Sequence, residues 1–225
     1  ANRLLAILGD GSATAGGQKV TQTMRRLGLD NFYLCAPFRV VELWQDSGQI
    51  VWTANGLSLL PLQASQVPRY DRCVRATPRE MADLLEMTYE CTADEGLLRD
   101  AYPNIFSPRA CQEMIDVMAA NDLRNMLGAG IPSWVKLAHK HGFSGYDVPW
   151  GDTRGEVGIV FSPGANWLVS FYIWQDTPWI NWGINQPLYR DVSNMLYNYF
   201  NADDPFWPLP PWAPEPEEAT EDTEA

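Results

Sequence analysis

The sequence predicts an α+β fold: a helical part, three antiparallel strands, and a closing helix that packs on them. Three observations carry this. Apolar residues recur at helical spacing behind two N-cap signals, Thr77-Pro78 and Ser107-Pro108. Beyond Pro132 the period changes to alternation in "WVKLAHK", "EVGIVFS" and "NWLVSFYIW". Helical spacing returns after Pro187. Segregated helices and strands in that order form the α+β pattern.

The 225 residues, 46% hydrophobic and with ten Trp, are enough to bury a sizeable core. Gly, Pro or charge interrupts every apolar stretch before the ~18 residues of a membrane span. A formal charge of −12 argues against electrostatic binding to nucleic acid or anionic lipid. Eight acids and no base lie from Asn201 onward, leaving about −4 on the rest. With six Pro from Asp203 on, residues 202–225 read as a Pro-rich acidic disordered tail whose partner is not legible. Residues 1–201 then form the folded part. Within it, 1–130 is mainly helical with an irregular 38–76 segment, and 131–201 holds three strands and the C-terminal helix.

Taken in order, "ANRLLAILG" begins inside a helical pattern with Leu4, Leu5 and Leu8 on one face. No capping residue, initiator Met or signal peptide precedes it, so the expectation is a chain lacking its beginning. "GDGSATAGG" lacks the Gly-Lys-[Ser/Thr] of a phosphate-binding loop and reads as a turn. A second helix carries Val20, Met24 and Leu27. "RVVELW" and "IVWTA", separated by "QDSGQ", predict a hairpin, and the chain around Pro61 and Pro68 reads as irregular. Cys35 and Cys73 flank that segment, where a staple would suit a long connection.

The helix after Thr77 turns Met81, Leu84, Leu85 and Thr88 to one face. The helix after Ser107 does the same with Cys111, Met114, Ile115 and Met118. Cys91 ends the first and Cys111 lies in the first turn of the second, so a bridge would fit there. "SPGAN" joins two of the strands as a hairpin turn. The last helix turns Leu188, Val192, Met195 and Tyr199 inward. The four cysteines are even in number and have no CxxC spacing, which argues against zinc and thioredoxin-type chemistry. Two disulfides in an exported protein and four buried thiols in a cytosolic one both fit.

Two spacings in "SWVKLAHKHGF" bear on chemistry. Ser133 and Lys136 form a Ser-x-x-Lys, the nucleophile pattern of acyl-serine enzymes. It works on a helix, where i and i+3 are about 5–6 Å apart at Cβ. On a strand they face opposite sides about 10 Å apart, so Ser133 and Lys136 are expected not to cooperate. Lys140-His141-Gly142 sets a cation beside a residue that lets a ligand approach the backbone, as oxyanion chemistry requires. The plainer reading is an edge-strand lysine before a turn. His139 and His141 share the face opposite Lys140. With no third donor nearby in sequence they read as two polar strand residues, and no metal or cofactor is expected.

The segments "ANRLLAILG…MRRLGL", "ATPREMADLLE", "GIPSWVKLAHKHGF", "GEVGIVFSPGANWLVSFYI" and "LYRDVSNMLYNYF", in this order, resemble the later part of a class A β-lactamase-like domain. In that penicillin-recognising serine hydrolase superfamily a Ser-Asp-Asn motif leads into Ala-Asn-x-Leu-Leu. A Thr-Thr-Pro-x-x-Met helix follows the omega loop, and a Lys-Thr-Gly strand opens the last three strands. The likeness covers about 1–201, best over 77–175. It implies that the catalytic Ser-x-x-Lys and Ser-Asp-Asn lie upstream of Ala1, so that the chain by itself is inactive. It also implies that Lys140 is the strand lysine and that Gly142 admits substrate. Phe143 would give an oxyanion N–H, and His141 would take the place of the hydroxyl residue that binds the substrate carboxylate. Glu42 in "VELWQ" does not match the omega-loop Glu-x-x-Leu-Asn.

The resemblance further implies an exported, extracellular or cell-envelope protein acting on a small-molecule or peptidoglycan-like substrate. It favours two disulfides, Cys91–Cys111 and, as the remainder, Cys35–Cys73. Two function classes follow. One is a β-lactamase-like serine hydrolase cleaving a β-lactam or peptidoglycan-type amide. The other is a non-catalytic module of the same fold that binds a cell-envelope partner, favoured by His141 and by the missing omega-loop Glu.

Overall fold

The structure, a computed structural model, describes residues 2–34, 50–53, 56–59, 74–143, 152–175 and 180–207. Helices α1 (Asn2–Leu8) and α2 (Ala13–Arg26) come first. Short strands β1 (Tyr33–Leu34), β2 (Ile50–Thr53), β3 (Gly56–Leu59) and β4 (Val74–Arg75) follow. Helices α3 (Pro78–Thr92), α4 (Leu97–Ala101) and α5 (Pro108–Ala119) lead through a 3-10 turn (Leu127–Gly130) into strands β5 (Lys136–Phe143), β6 (Asp152–Phe161) and β7 (Asn166–Gln175). Helix α6 (Trp182–Phe200) closes the fold. Among the described residues no helix is long and apolar enough to cross a membrane.

Strands β5, β6 and β7 form an antiparallel sheet in that order, as α+β patterning predicts. Their period of two splits each strand between two cores. Leu137, Val160, Trp167 and Val169 face α6 and the 3-10 turn, where Tyr189 and Tyr197 are buried. Ala138, Val157 and Ile159 face α3 and α5, meeting Leu85 and Ile115. A third cluster of Leu27, Leu29, Leu98, Cys91 and Cys111 ties α2 to α3–α5.

Local signals place several helices. Thr77 and Glu80 make a reciprocal capping box at α3, and Ser107 caps α5 through the Ala110 N–H. The Gly-rich stretch read as a turn is a turn only up to Ser12, which caps α2. Gly16 and Gly17 are helical because α1 and β1 press on them. A Cβ at Gly16 would stand 1.9 Å from the Leu5 carbonyl oxygen.

Other expectations shift. In α1 only Leu5 is buried, while Leu4 and Leu8 are exposed. β2 pairs with β3; "RVVELW", the expected partner of "IVWTA", lies outside the described residues. In α5 Cys111 and Ile115 are buried and Met114 is exposed. α6 begins five residues before Pro187 and carries that proline inside it. Its inward residues are Tyr189, Ser193 and Tyr197, whereas Leu188, Met195 and Tyr199 are exposed. The reason is steric: a Cβ on Gly130 would stand 2.1 Å from Ser193 Oγ, so the 3-10 turn seats at Ser193, between the two buried tyrosines.

Candidate active site

Strand β5 carries two different chemistries on its two faces. On one, Lys140 is exposed and its Nζ donates to the His141 carbonyl at 2.7 Å. Next along that face comes Gly142, paired in register with Gly155. Among the described residues a Cβ at Gly142 would meet only the Gly155 carbonyl, at 3.8 Å, so bare backbone lies beside the lysine. Gly155 is in turn covered by Tyr172, whose ring would stand 2.4 Å from a Cβ there. The lysine therefore borders bare backbone at Gly142, and the Tyr172 ring closes the surface at Gly155.

On the other face His139 and His141 turn inward, 1% and 7% exposed. Glu156 of β6 stands directly opposite His141 in the ladder and is wholly buried. One carboxylate oxygen, Oε1, pairs with His139 Nδ1 and lies 3.5 Å from His141 Nε2. The other, Oε2, accepts the Leu127 N–H at 2.7 Å. Asn121 serves both histidines. Its carbonyl lies 3.2 Å from His139 Nε2, and its side-chain amide 3.4 Å from His141 Nδ1. A carbonyl only accepts, so His139 Nε2 carries a proton and its Nδ1 is the atom presented to Glu156. Among the described residues His141 Nε2 is buried without a hydrogen-bond partner. Burial pushes the His141 pKa down, helped by His139 and Lys140 and opposed by Glu156.

Beyond His141 the Phe143 ring stacks at 5.9 Å, with the Arg154 guanidinium 5.0 Å over Phe143 and Trp182 6.4 Å away. A cavity of about 400 Å³ lies elsewhere, between Ile131–Trp134, Tyr197 and Asp204–Phe206, and does not include Lys140.

Comparison with known proteins gives a consistent picture. The Beta-lactamase enzyme family matches residues 3–200. The chain belongs to this family. No curated protein matches it. Among solved structures, a class A β-lactamase from Bacteroides cellulosilyticus and a β-lactamase from Chitinophaga pinensis are both 15% identical with a TM-score of 0.56. They cover 89% and 87% of this chain and 63% of their own. A mutant of PBP-A solved as an acyl-enzyme with penicillin G is 18% identical, with a TM-score of 0.50, covering 85% of this chain and 55% of its own. This β-lactamase-family chain thus spans less than two thirds of the solved proteins it matches, and at these identities the likeness shows the fold.

Within the β-lactamase fold, Lys140, Gly142 and Phe143 lie together on β5, and the His141 ring is turned to Asn121 and Glu156. Ser133 precedes the strand, exposed, while Lys136 is paired with Asp116 at 2.9 Å, so the two do not form a nucleophile pair. Cys91 and Cys111 form a disulfide with Cα atoms 5.9 Å apart. Cys35, Cys73 and Glu42 lie outside the described residues. The sequence reading missed Glu156 and Asn121. A signal for Glu156 was available: in "EVGIVFS" it stands four residues before Val160 and so shares that residue's inward face.

Proposed function

We propose that the protein is an exported serine hydrolase that cleaves a β-lactam or peptidoglycan-type amide through an acyl-serine, and that these residues supply its substrate-side strand. The observation that carries this is the exposed Lys140 beside the bare backbone of Gly142. The lysine offers a fixed cation to an anionic substrate, Gly142 admits it to the strand, and the Phe143 N–H is the oxyanion donor. The acylating serine and its base belong to a Ser-x-x-Lys and a Ser-x-Asn outside these 225 residues, and the chain alone is inactive. Export is supported by the Cys91–Cys111 disulfide, since such bonds persist in oxidising compartments.

A fluorescent penicillin incubated with the product of the complete reading frame tests this. The expected result is a covalent band whose formation slows about 100-fold or more in Lys140→Ala, the scale of losing one preorganised electrostatic group. The absence of any band under acylating conditions sinks the hydrolase reading. A non-catalytic module binding a cell-envelope partner would then stand. That second reading is favoured by His141, whose buried ring replaces the hydroxyl that the family turns to the substrate carboxylate.

A further inference from the structure

We propose that His139, His141 and Glu156 form a three-ligand site for a divalent transition metal of the zinc class, buried behind the strand that carries Lys140. This is independent of the hydrolase reading. One ligand atom from each residue lies within 4.8 Å of the others. The three side chains are 0%, 4% and 0% exposed for His139, His141 and Glu156, so all are shielded from water. Two imidazoles and one carboxylate are a donor set that zinc takes in catalytic sites, with a fourth position left to water or another group.

The surroundings support ligation. His139 Nε2 is held by the Asn121 carbonyl, which leaves Nδ1 for a metal; a carbonyl in that outer position is a recurrent partner of ligating histidines. Glu156 Oε2 is held by the Leu127 N–H, which leaves Oε1, the oxygen paired with His139 Nδ1, turned to the two histidines. His141 Nε2 is buried, has no hydrogen-bond partner among the described residues and lies 3.5 Å from that same Oε1. With His139 Nε2 protonated, Nδ1 and Oε1 converge as two lone pairs unless a proton or a cation stands between them. A divalent ion displaces that proton. His141 ligates through Nε2 when its own proton sits on Nδ1, which a half-turn of the Asn121 amide accommodates. That turn gives up only the exposed Leu123 N–H bond to Asn121 Oδ1.

The register explains why such a site exists here. His139 and His141 are i and i+2 on β5 and share a face, and Glu156 is the residue opposite His141 on β6. A bound ion would clamp the two strands directly behind Lys140 and Gly142.

The test is titration of the chelator-stripped full chain with Co²⁺, read by its visible ligand-field absorption, followed by displacement with Zn²⁺. The expected result is one equivalent of Co²⁺ per chain, an absorption band of a low-coordinate nitrogen–oxygen site, and loss of that band when Zn²⁺ is added. His141→Thr should weaken binding about 100-fold or more, since even outer-shell partners cost about 10–100-fold. His139→Gln should do the same. If His139→Gln does not fold, His141→Thr, checked by circular dichroism, decides alone. No ligand-field band, or a band of equal strength in His141→Thr, overturns the proposal. The latter would place the ion on the acidic residues elsewhere in the chain, and the former would leave a proton shared between His139 and Glu156.

Discussion

Glu156 and His139 meet as a side-chain pair with no exposure to solvent, on neighbouring strands, one residue from Lys140. A charge taken out of water is stable only while its partners are present. Glu156 has two, His139 on one oxygen and the Leu127 N–H on the other, and so joins both sheet strands to the 3-10 turn. Glu156→Gln should therefore lower stability by about 3–5 kcal/mol in chemical denaturation, the usual cost of breaking a buried pair. Asp116→Asn, which breaks the exposed pair with Lys136, should leave the midpoint unchanged. Equal effects from the two substitutions would refute the assignment.

Two glycines should separate packing from function. A Cβ at Gly16 meets the backbone of Leu5 at 1.9 Å, so Gly16→Ala pushes α1 off α2 and should cost about 1–3 kcal/mol. At Gly142 a Cβ meets nothing among the described residues closer than 3.8 Å, so Gly142→Ala should change stability by less than about 0.5 kcal/mol. If substrate lies against this strand, the same methyl should still slow penicillin acylation of the complete protein. Unchanged acylation would remove Gly142 from the site.

The Cys91–Cys111 bond joins the last turn of α3 to the first turn of α5 across 20 residues. Closing a loop of that length is worth about 3 kcal/mol through the unfolded chain. Cys91→Ala with Cys111→Ala should lower unfolding free energy by about that amount, and dithiothreitol should abolish the difference from the parent. The cysteines also belong to the cluster with Leu27, Leu29 and Leu98, so a residual gap under reduction would measure packing lost with the sulfurs.

The helical caps at Thr77 and Ser107 were readable because each signal sits within four residues. The three strands were readable because alternation is also local. What escaped the sequence was set by contacts between distant segments. The inward face of α6 is fixed by Ser193 against Gly130, and both faces of that helix are rich in large apolar residues, so spacing alone does not choose between them. The site divides in the same way. Lys140, His141 and Gly142 form a contiguous motif, whereas Glu156 reaches the histidines only through the β5–β6 register and Asn121 only through the loop after α5.

Glu80 provides a test of stability against pH. Its carboxylate accepts from the Asn31 N–H at 2.6 Å, the Thr77 N–H at 3.2 Å and the Thr77 hydroxyl at 3.1 Å. Burial by itself raises this pKa, and the donors outweigh it, holding the group below its ordinary value. A carboxyl depressed by folding stabilises fully above its unfolded pKa, about 4.3, and that contribution is lost as pH falls through the lower native value. Glu80→Gln keeps the size of the side chain and removes the charge. The variant should be less stable at pH 7 by about 1 kcal/mol, the scale of a lost cap. Below the native pKa the carboxylic acid of the parent is also uncharged, so the two denaturation curves should converge there. A gap that stays constant from pH 7 down to pH 2 would mean that the capping box acts through shape and that the charge of Glu80 contributes nothing.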